Sequence, residues 1–232
     1  MTRACAGRAA RLALALLASL AFSLPAAAQG PTRTLFLIAR PGMPDANFRE
    51  TVVLVAQNAN AQAIGVIVNR PTARSLASIL PGERFRQFAD PVYFGGPVGA
   101  EGFVALFRAE KNPGEAVPML PDLYLALSPA TLDELIANPP ASIRFYTGYA
   151  GWGPRQLQAE IGRGDWYVLD ADADTAFRRD SGNLWQELVR RARSVRAQRP
   201  PSPARSGMPK PACGAMGEAA DCGSLQATLS MH

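Results

Sequence analysis

Histidine and cysteine are almost missing from this chain of 232 residues. The only histidine is His232, and the three cysteines are Cys5, Cys213 and Cys222, all close to the two ends. The long stretch between them therefore has neither an imidazole nor a thiol. This excludes Ser-His-Asp and Cys-His nucleophile systems from that stretch, because their imidazole carries the proton. Zinc sites built from thiolates or imidazoles are excluded for the same reason.

Lysine is also scarce. Between residues 29 and 193, Lys111 is the only lysine, and no glycine-rich phosphate loop accompanies it. Any catalysis in this stretch would have to use carboxylates, tyrosine, arginine or a hard cation such as Mg²⁺. The composition favours a protein that is not an enzyme, and we predict no cofactor.

Long apolar runs are missing after the first thirty residues. The one apolar run, LALALLASLAFSL at 12–24, follows three arginines and precedes Pro25 and three alanines. A basic start, a short apolar core and small residues after it are typical of a cleavable signal peptide. The pattern predicts such a peptide over residues 1–28, with cleavage before Gln29. We therefore expect a periplasmic or secreted protein with no transmembrane segment after cleavage. The alternative is a wrongly assigned start codon in front of a cytoplasmic protein.

The positive charge of the chain belongs to its ends. The whole chain has a net charge of +5 and a pI near 9.5. Between Gln29 and Val189, however, there are 14 basic and 17 acidic residues, and seven basic residues crowd into 190–210. A slightly acidic body lacks the electrostatic footprint of a nucleic-acid-binding domain. We expect no nucleic-acid partner for the folded part.

Hydrophobic periodicity predicts a single α+β domain over residues 29–193. Helical turns are expected at 76–80, from Pro129 after an N-cap at Ser128, over 157–161 and at 184–189. Strands are expected at 34–39, 51–57, 63–69, 92–94, 103–107, 123–127, 143–149 and 166–169. The second and third strands predict a hairpin, and the fourth and fifth a pair around Gly95-Gly96-Pro97. Because strands and helices do not strictly alternate, the pattern favours a largely antiparallel, curled sheet flanked by short helices.

Residues 194–232 are predicted to be a disordered basic tail. The segment is rich in proline, glycine, arginine and small residues and has no periodic apolar face. In an oxidising compartment, Cys213 and Cys222 would be the only cysteines of the mature chain, and we expect them to form a disulfide.

Four sequence blocks carry a family resemblance. PGMPDANFRETVVL (41–54), GVIVNRPT (65–72), PVYFGGPVGAEGF (91–103) and TGYAGWGPRQLQAEIGRGDWYVL (147–169) resemble the signature stretches of the YqgE/AlgH family, in that family's order. The resemblance spans about residues 34 to 190, and its most specific block is the last. It implies an α+β fold whose bifurcated sheet curls into a pseudo-barrel. It implies little about activity, because the family's label of transcriptional regulator is an inherited description.

Most of the motif residues have a structural explanation, such as turns for the glycines and packing for the tryptophans. A second interpretation joins the blocks into a ligand site. Amide groups at a helix starting at Pro154 could hold an anion, with Arg70 or Arg155 in bidentate contact and Trp152 as a wall. Asp45 and Glu160 could instead hold a hard cation or move a proton. The candidate ligand-binding residues are Asp45, Asn47, Arg70, Trp152, Gly153, Arg155 and Glu160.

Three functions follow from these observations. The preferred one is a non-enzymatic binding, accessory or regulatory protein of the bacterial envelope, with a protein or small-molecule partner. The alternative is a carboxylate- or divalent-cation-dependent hydrolase or transferase that uses Asp45 and Glu160. The third, a cytoplasmic transcriptional regulator, requires that the leader is not used.

Overall fold

The computed structural model describes residues 33–198, and these form ten strands, five α-helices and one short 3-10 helix at Glu83–Phe85. The leader at 1–28, the disulfide predicted between Cys213 and Cys222 and the tail from residue 199 onward lie outside the described residues. The strands are β1 Arg33–Ala39, β2 Val52–Gln57, β3 Ala63–Ile67, β4 Pro71–Ser75, β5 Pro91–Phe94, β6 Val98–Arg108, β7 Val117–Leu120, β8 Leu123–Ala126, β9 Ile143–Trp152 and β10 Trp166–Asp170. The helices are α1 Leu76–Ile79, α2 Pro129–Ala137, α3 Gln156–Arg163, α4 Ala173–Ala176 and α5 Leu184–Gln198.

The sheet confirms the predicted α+β class. Its main path runs β10-β1-β2-β3-β9-β6-β8-β7, with every neighbouring pair antiparallel. Strands β4 and β5 branch off this path, where β5 runs parallel to β9. The sheet curls, so that the Thr34 hydroxyl on β1 donates to the Met119 carbonyl on the far strand β7.

The predicted hairpin of β2 and β3 is confirmed. Its register pairs Val55 with Gly65 and Gln57 with Ala63. Apart from the half-buried Ile64, the β-branched residues of both strands are buried on both faces, because the sheet has core on each side here.

The prediction that strands 92–94 and 103–107 pair with each other is wrong. Tyr93 on β5 and Val104 on β6 both lie opposite Tyr146, so β9 runs between the two strands. The connection crosses β9 at close range, where the Gly95 amide donates to the Thr147 carbonyl. This crossing divides the sheet into two branches.

Strand β9 is longer than predicted, and helix α3 starts later. The strand continues to Trp152 because Ala150 and Trp152 pair with Gly65 and Ala63 on β3. The helix begins at Gln156, after Arg155 takes a left-handed conformation with φ of 65°. A helix start at Pro154 is therefore wrong.

The other predicted helices are present. The Ser128 side chain caps α2 by accepting from the Thr131 amide. On α5, Leu188 is buried, and the Trp185 indole donates to the Ala39 carbonyl at 2.7 Å. This helix continues to Gln198, so residues 194–198 are helical although we predicted disorder from 194. Buried Ala192 extends the apolar face of α5 almost to the start of the predicted tail.

Three elements were not predicted from the sequence: β4, β7 and α4. Helix α4 has a local N-cap at Asp172, but it is also held by a distant residue. The buried Arg144 guanidinium donates to the carbonyls of Ala176, Phe177 and Arg178 at 2.7, 2.9 and 3.1 Å. Hydrogen bonds with a charged donor are stronger than neutral ones, and they fix this turn against β9.

Residues 33–198 include no helix that is both long and apolar enough to cross a membrane.

Candidate functional site

A cleft of about 430 Å³ opens between the loop that follows β1 and helix α3. It brings together residues from five separate parts of the chain: this loop, the β5–β6 connection, the end of β9, α3 and the start of β10. Its lining consists of Met43, Pro44, Asp45, Phe48, Pro97, Gly151, Trp152, Gln156, Glu160, Arg163, Asp165 and Trp166.

The Glu160 carboxylate is the shared hydrogen-bond acceptor of this cleft. Its Oε2 accepts from the Trp152 indole at 2.9 Å and from the Trp166 indole at 3.0 Å. Its Oε1 accepts from the Gln156 side-chain amide at 3.0 Å. Buried Leu157 fixes the inner face of α3, and Glu160 lies one turn further along, where it is half-buried. One carboxylate therefore orients two indoles and one amide.

Phe48 completes an aromatic wall. Its ring stacks on Trp152 with centroids 5.9 Å apart and meets Trp166 edge-on at 5.5 Å. Both tryptophans are buried, whereas Phe48 is partly exposed. Since the indole N–H groups are held by Glu160, the three rings have a fixed arrangement.

The loop that carries Phe48 is built around Asp45. Asp45 Oδ1 accepts from the Asn47 amide at 2.8 Å, while its carbonyl accepts from the amides of Phe48 and Arg49. Such a local turn keeps the exposed Asp45 carboxylate at the cleft.

Arg70 holds this loop from outside the cleft. Its two terminal nitrogens donate to the carbonyls of Asn47 and Arg49, each at 2.8 Å. Burial lowers the pKa of Arg70, and the nearby Glu50 carboxylate partly opposes this. Both arms of the guanidinium fork are thus occupied by backbone, where we had expected an anion.

The seven predicted site residues fall into two groups. Asp45, Trp152 and Glu160 line the cleft, whereas Asn47, Arg70, Gly153 and Arg155 do not. The Gly153 amide is already used, because it donates to Gln156 Oε1 at 3.1 Å. Arg155 is exposed and has no side-chain cap interaction.

The charge of the cleft is opposite to that of an anion site. Asp45, Glu160 and Asp165 face a single arginine, Arg163, which pairs with Asp165 at 2.7 Å. Negative charge beside aromatic rings suits a cation, since the faces of the rings are electronegative.

A metal site is not apparent in residues 33–198, where no three His, Cys, Asp or Glu side chains are grouped to hold an ion. Glu160 already accepts three hydrogen bonds, so its oxygens have little room for a metal. Our sequence interpretation missed Phe48, Gln156 and Trp166. The sequence signal that could have revealed Trp166 is the spacing of Glu160, which lies eight residues after Trp152 and six residues before Trp166.

Comparison with known proteins identifies relatives of the whole described domain. A family model described as DUF179, AlgH-like, matches residues 36–195. A UPF0301 protein of Myxococcus xanthus is 35% identical over 159 residues, which cover 66% of this chain and 87% of that protein. A UPF0301 protein of Streptomyces avermitilis is 34% identical and covers 68% of this chain and 85% of its own length.

Two solved structures have a similar fold. The solution structure of the AlgH protein from Pseudomonas aeruginosa matches with a TM-score of 0.57 and 27% identity. It covers 75% of this chain and 97% of its own. A crystal structure of a Corynebacterium diphtheriae protein matches with a TM-score of 0.55 at 22% identity, over 69% of this chain and 87% of its own, and indicates the fold alone.

Proposed function

Because this chain belongs to the AlgH-like family of uncharacterised proteins, we propose a function from its own cleft: it is a binding protein that captures a cationic group. The preferred ligand is an ammonium group on a small molecule or partner. The observation that carries this proposal is the Glu160 carboxylate, which fixes two indoles in an acidic, aromatic cleft.

Three features support binding over catalysis. Both oxygens of Glu160 accept hydrogen bonds from side chains that it orients, so this carboxylate serves to position the wall. Asp45 keeps Oδ2 available for a ligand, because only its Oδ1 is used by the Asn47 amide. The partly exposed Phe48 ring stabilises a cation through its face, and the aromatic wall has no nucleophile.

Choline is the probe that tests this proposal. We expect choline to bind in the millimolar range, which corresponds to about 4 kcal/mol, because a desolvated cation–π contact supplies about 2 kcal/mol and the acidic side chains of the cleft add to it. Binding should shift the indole N–H signals of Trp152 and Trp166 in NMR spectra. The neutral isostere 3,3-dimethylbutan-1-ol should bind more weakly. Equal binding of the two compounds would contradict a site for cations.

Asp45→Asn is the variant that links the binding to the cleft. It removes one negative charge and keeps the turn, and it should weaken choline binding about fivefold. Asp180→Asn is the matched control, because Asp180 is equally exposed and does not line the cleft. A similar loss in both variants would mean that net charge, and not this site, attracts choline.

We further propose that the protein acts in the bacterial envelope as an exported accessory or regulatory protein. The sequence of residues 1–28 supports this proposal, with three arginines before an apolar run and alanines before Gln29.

Expression in a Gram-negative host, with fractionation and N-terminal sequencing, tests export. We expect a periplasmic product that starts near Gln29. An uncleaved cytoplasmic product would overturn the envelope proposal and leave the choline test unaffected.

A further inference from the structure

A second charged surface lies on helix α5, on residues that do not line the acidic cleft. Arg190, Arg193 and Arg196 follow one another at spacings of three residues and are all exposed. Residues three apart are neighbours on a helix surface, so the three guanidinium groups form one ridge. We call this row the arginine ridge.

The ridge continues onto the sheet. Arg193 Nε donates to the Tyr167 hydroxyl at 3.4 Å, and the Arg40 guanidinium lies 4.4 Å from the centroid of the same ring. The Arg40 Nε–H is buried and has no hydrogen-bond partner. Arg193 on α5 and Arg40, directly after β1, therefore contact the same tyrosine on β10.

No carboxylate neutralises this surface within residues 33–198. The seven ion pairs of this part of the chain use other arginines, and none includes Arg40, Arg190, Arg193 or Arg196. Like charges at this spacing destabilise a helix. The helix dipole favours Arg196, which lies in the last turn, and Arg193 donates to the Tyr167 hydroxyl. Neither interaction removes the positive charge of the row, and Arg190 lies more than one turn before Gln198.

We propose that the arginine ridge docks the domain onto an anionic lipid surface. The three arginines are exposed and do not line the acidic cleft, so a plane of phosphate headgroups can reach all of them.

Charge complementarity also favours lipid over nucleic acid. The chain from Gln29 to Val189 has 14 basic and 17 acidic residues, so a long nucleic acid that extends past the ridge would meet net negative charge. A bilayer that contacts only the ridge does not meet this acidic surface.

Vesicle co-sedimentation of residues 29–232 tests this proposal, since the apolar leader would otherwise insert into lipid. We expect binding to vesicles with one-third phosphatidylglycerol and none to pure phosphatidylcholine. Replacing the ridge by Arg190→Gln, Arg193→Gln and Arg196→Gln should reduce the partition coefficient at least about tenfold, because each basic residue near the surface contributes about fivefold.

The control removes three arginines elsewhere: Arg49→Gln, Arg74→Gln and Arg86→Gln, all exposed. It loses the same net charge and should bind nearly as well as the unmodified protein, and both triple variants should keep the original circular dichroism spectrum. Equal loss in the two variants would overturn the proposal, as would no loss in the ridge variant. Tighter binding to duplex DNA than to vesicles at equal phosphate concentration would assign the ridge to nucleic acid instead.

Discussion

Replacing Gly148 with alanine should lower the free energy of unfolding by at least about 4 kcal/mol, which places it among the most damaging single substitutions. Gly148 has φ of 64°, in the left-handed region that disfavours any residue with a Cβ. An added Cβ would lie 2.4 Å from the Gly96 carbonyl oxygen and 2.8 Å from that of Val98. Both neighbours are backbone, so they can move only if β9 separates from the β5–β6 connection.

Urea unfolding monitored by tryptophan fluorescence checks this result. Gly162→Ala is the matched control, because Gly162 lies within α3 and its added Cβ meets nothing within 4 Å. That change should stabilise the protein by about 0.5–1 kcal/mol, since alanine is the better helix former. If Gly148→Ala unfolds at the same urea concentration as the unmodified protein, the close crossing of the two chain segments is incorrect.

Replacing Glu160 with alanine should cost about 3 kcal/mol of unfolding free energy, because it leaves two buried indole N–H groups without their acceptor. Each of these hydrogen bonds has a charged acceptor, and the two indoles come from different strands. The same change removes the carboxylate of the proposed cation site. We therefore expect it to lose choline binding as well as stability.

Glu134→Ala separates this effect from a general change in charge or helix propensity. Glu134 is an exposed glutamate on α2 and makes no side-chain contact there, so its loss should be nearly neutral. In the Glu160 variant, the indole N–H signals should lose their hydrogen-bond shift. A stable variant with unchanged indole signals would contradict the role of Glu160 as the shared acceptor of both indole N–H groups.

The sequence predicted those elements whose causes are local. The β2–β3 hairpin follows from two β-branched runs around a polar connection, and α2 follows from Ser128 and the proline after it. Helix α4 and the placement of β9 between β5 and β6 were not predictable in this way. They depend on Arg144 and Gly148, whose partners are far along the chain.

The same distinction applies to the site. Asp45, Trp152 and Glu160 were selected from the motif blocks and do share one cleft. Of the two ligand classes considered for it, the acidic lining favours a cation over an anion, because Arg70 binds backbone carbonyls and Arg155 is exposed to solvent. Arg70 is engaged by two carbonyls of the loop at 45–49, and no local pattern shows that a guanidinium is occupied in this way.

The position of β9 also determines the order in which the domain can fold. This strand is ninth along the chain, yet it pairs with β3, β5 and β6 and joins the first hairpin to the strands that follow. During synthesis, the N-terminal two-thirds of the domain therefore lacks its central strand, and β1, which needs β10, has an open edge. Closing such long loops costs entropy before any contact is gained, so folding should be slow and should start only after β10 has been made. A chain that stays unfolded until its synthesis is nearly complete can be bound throughout that time by proteins that act on extended polypeptides.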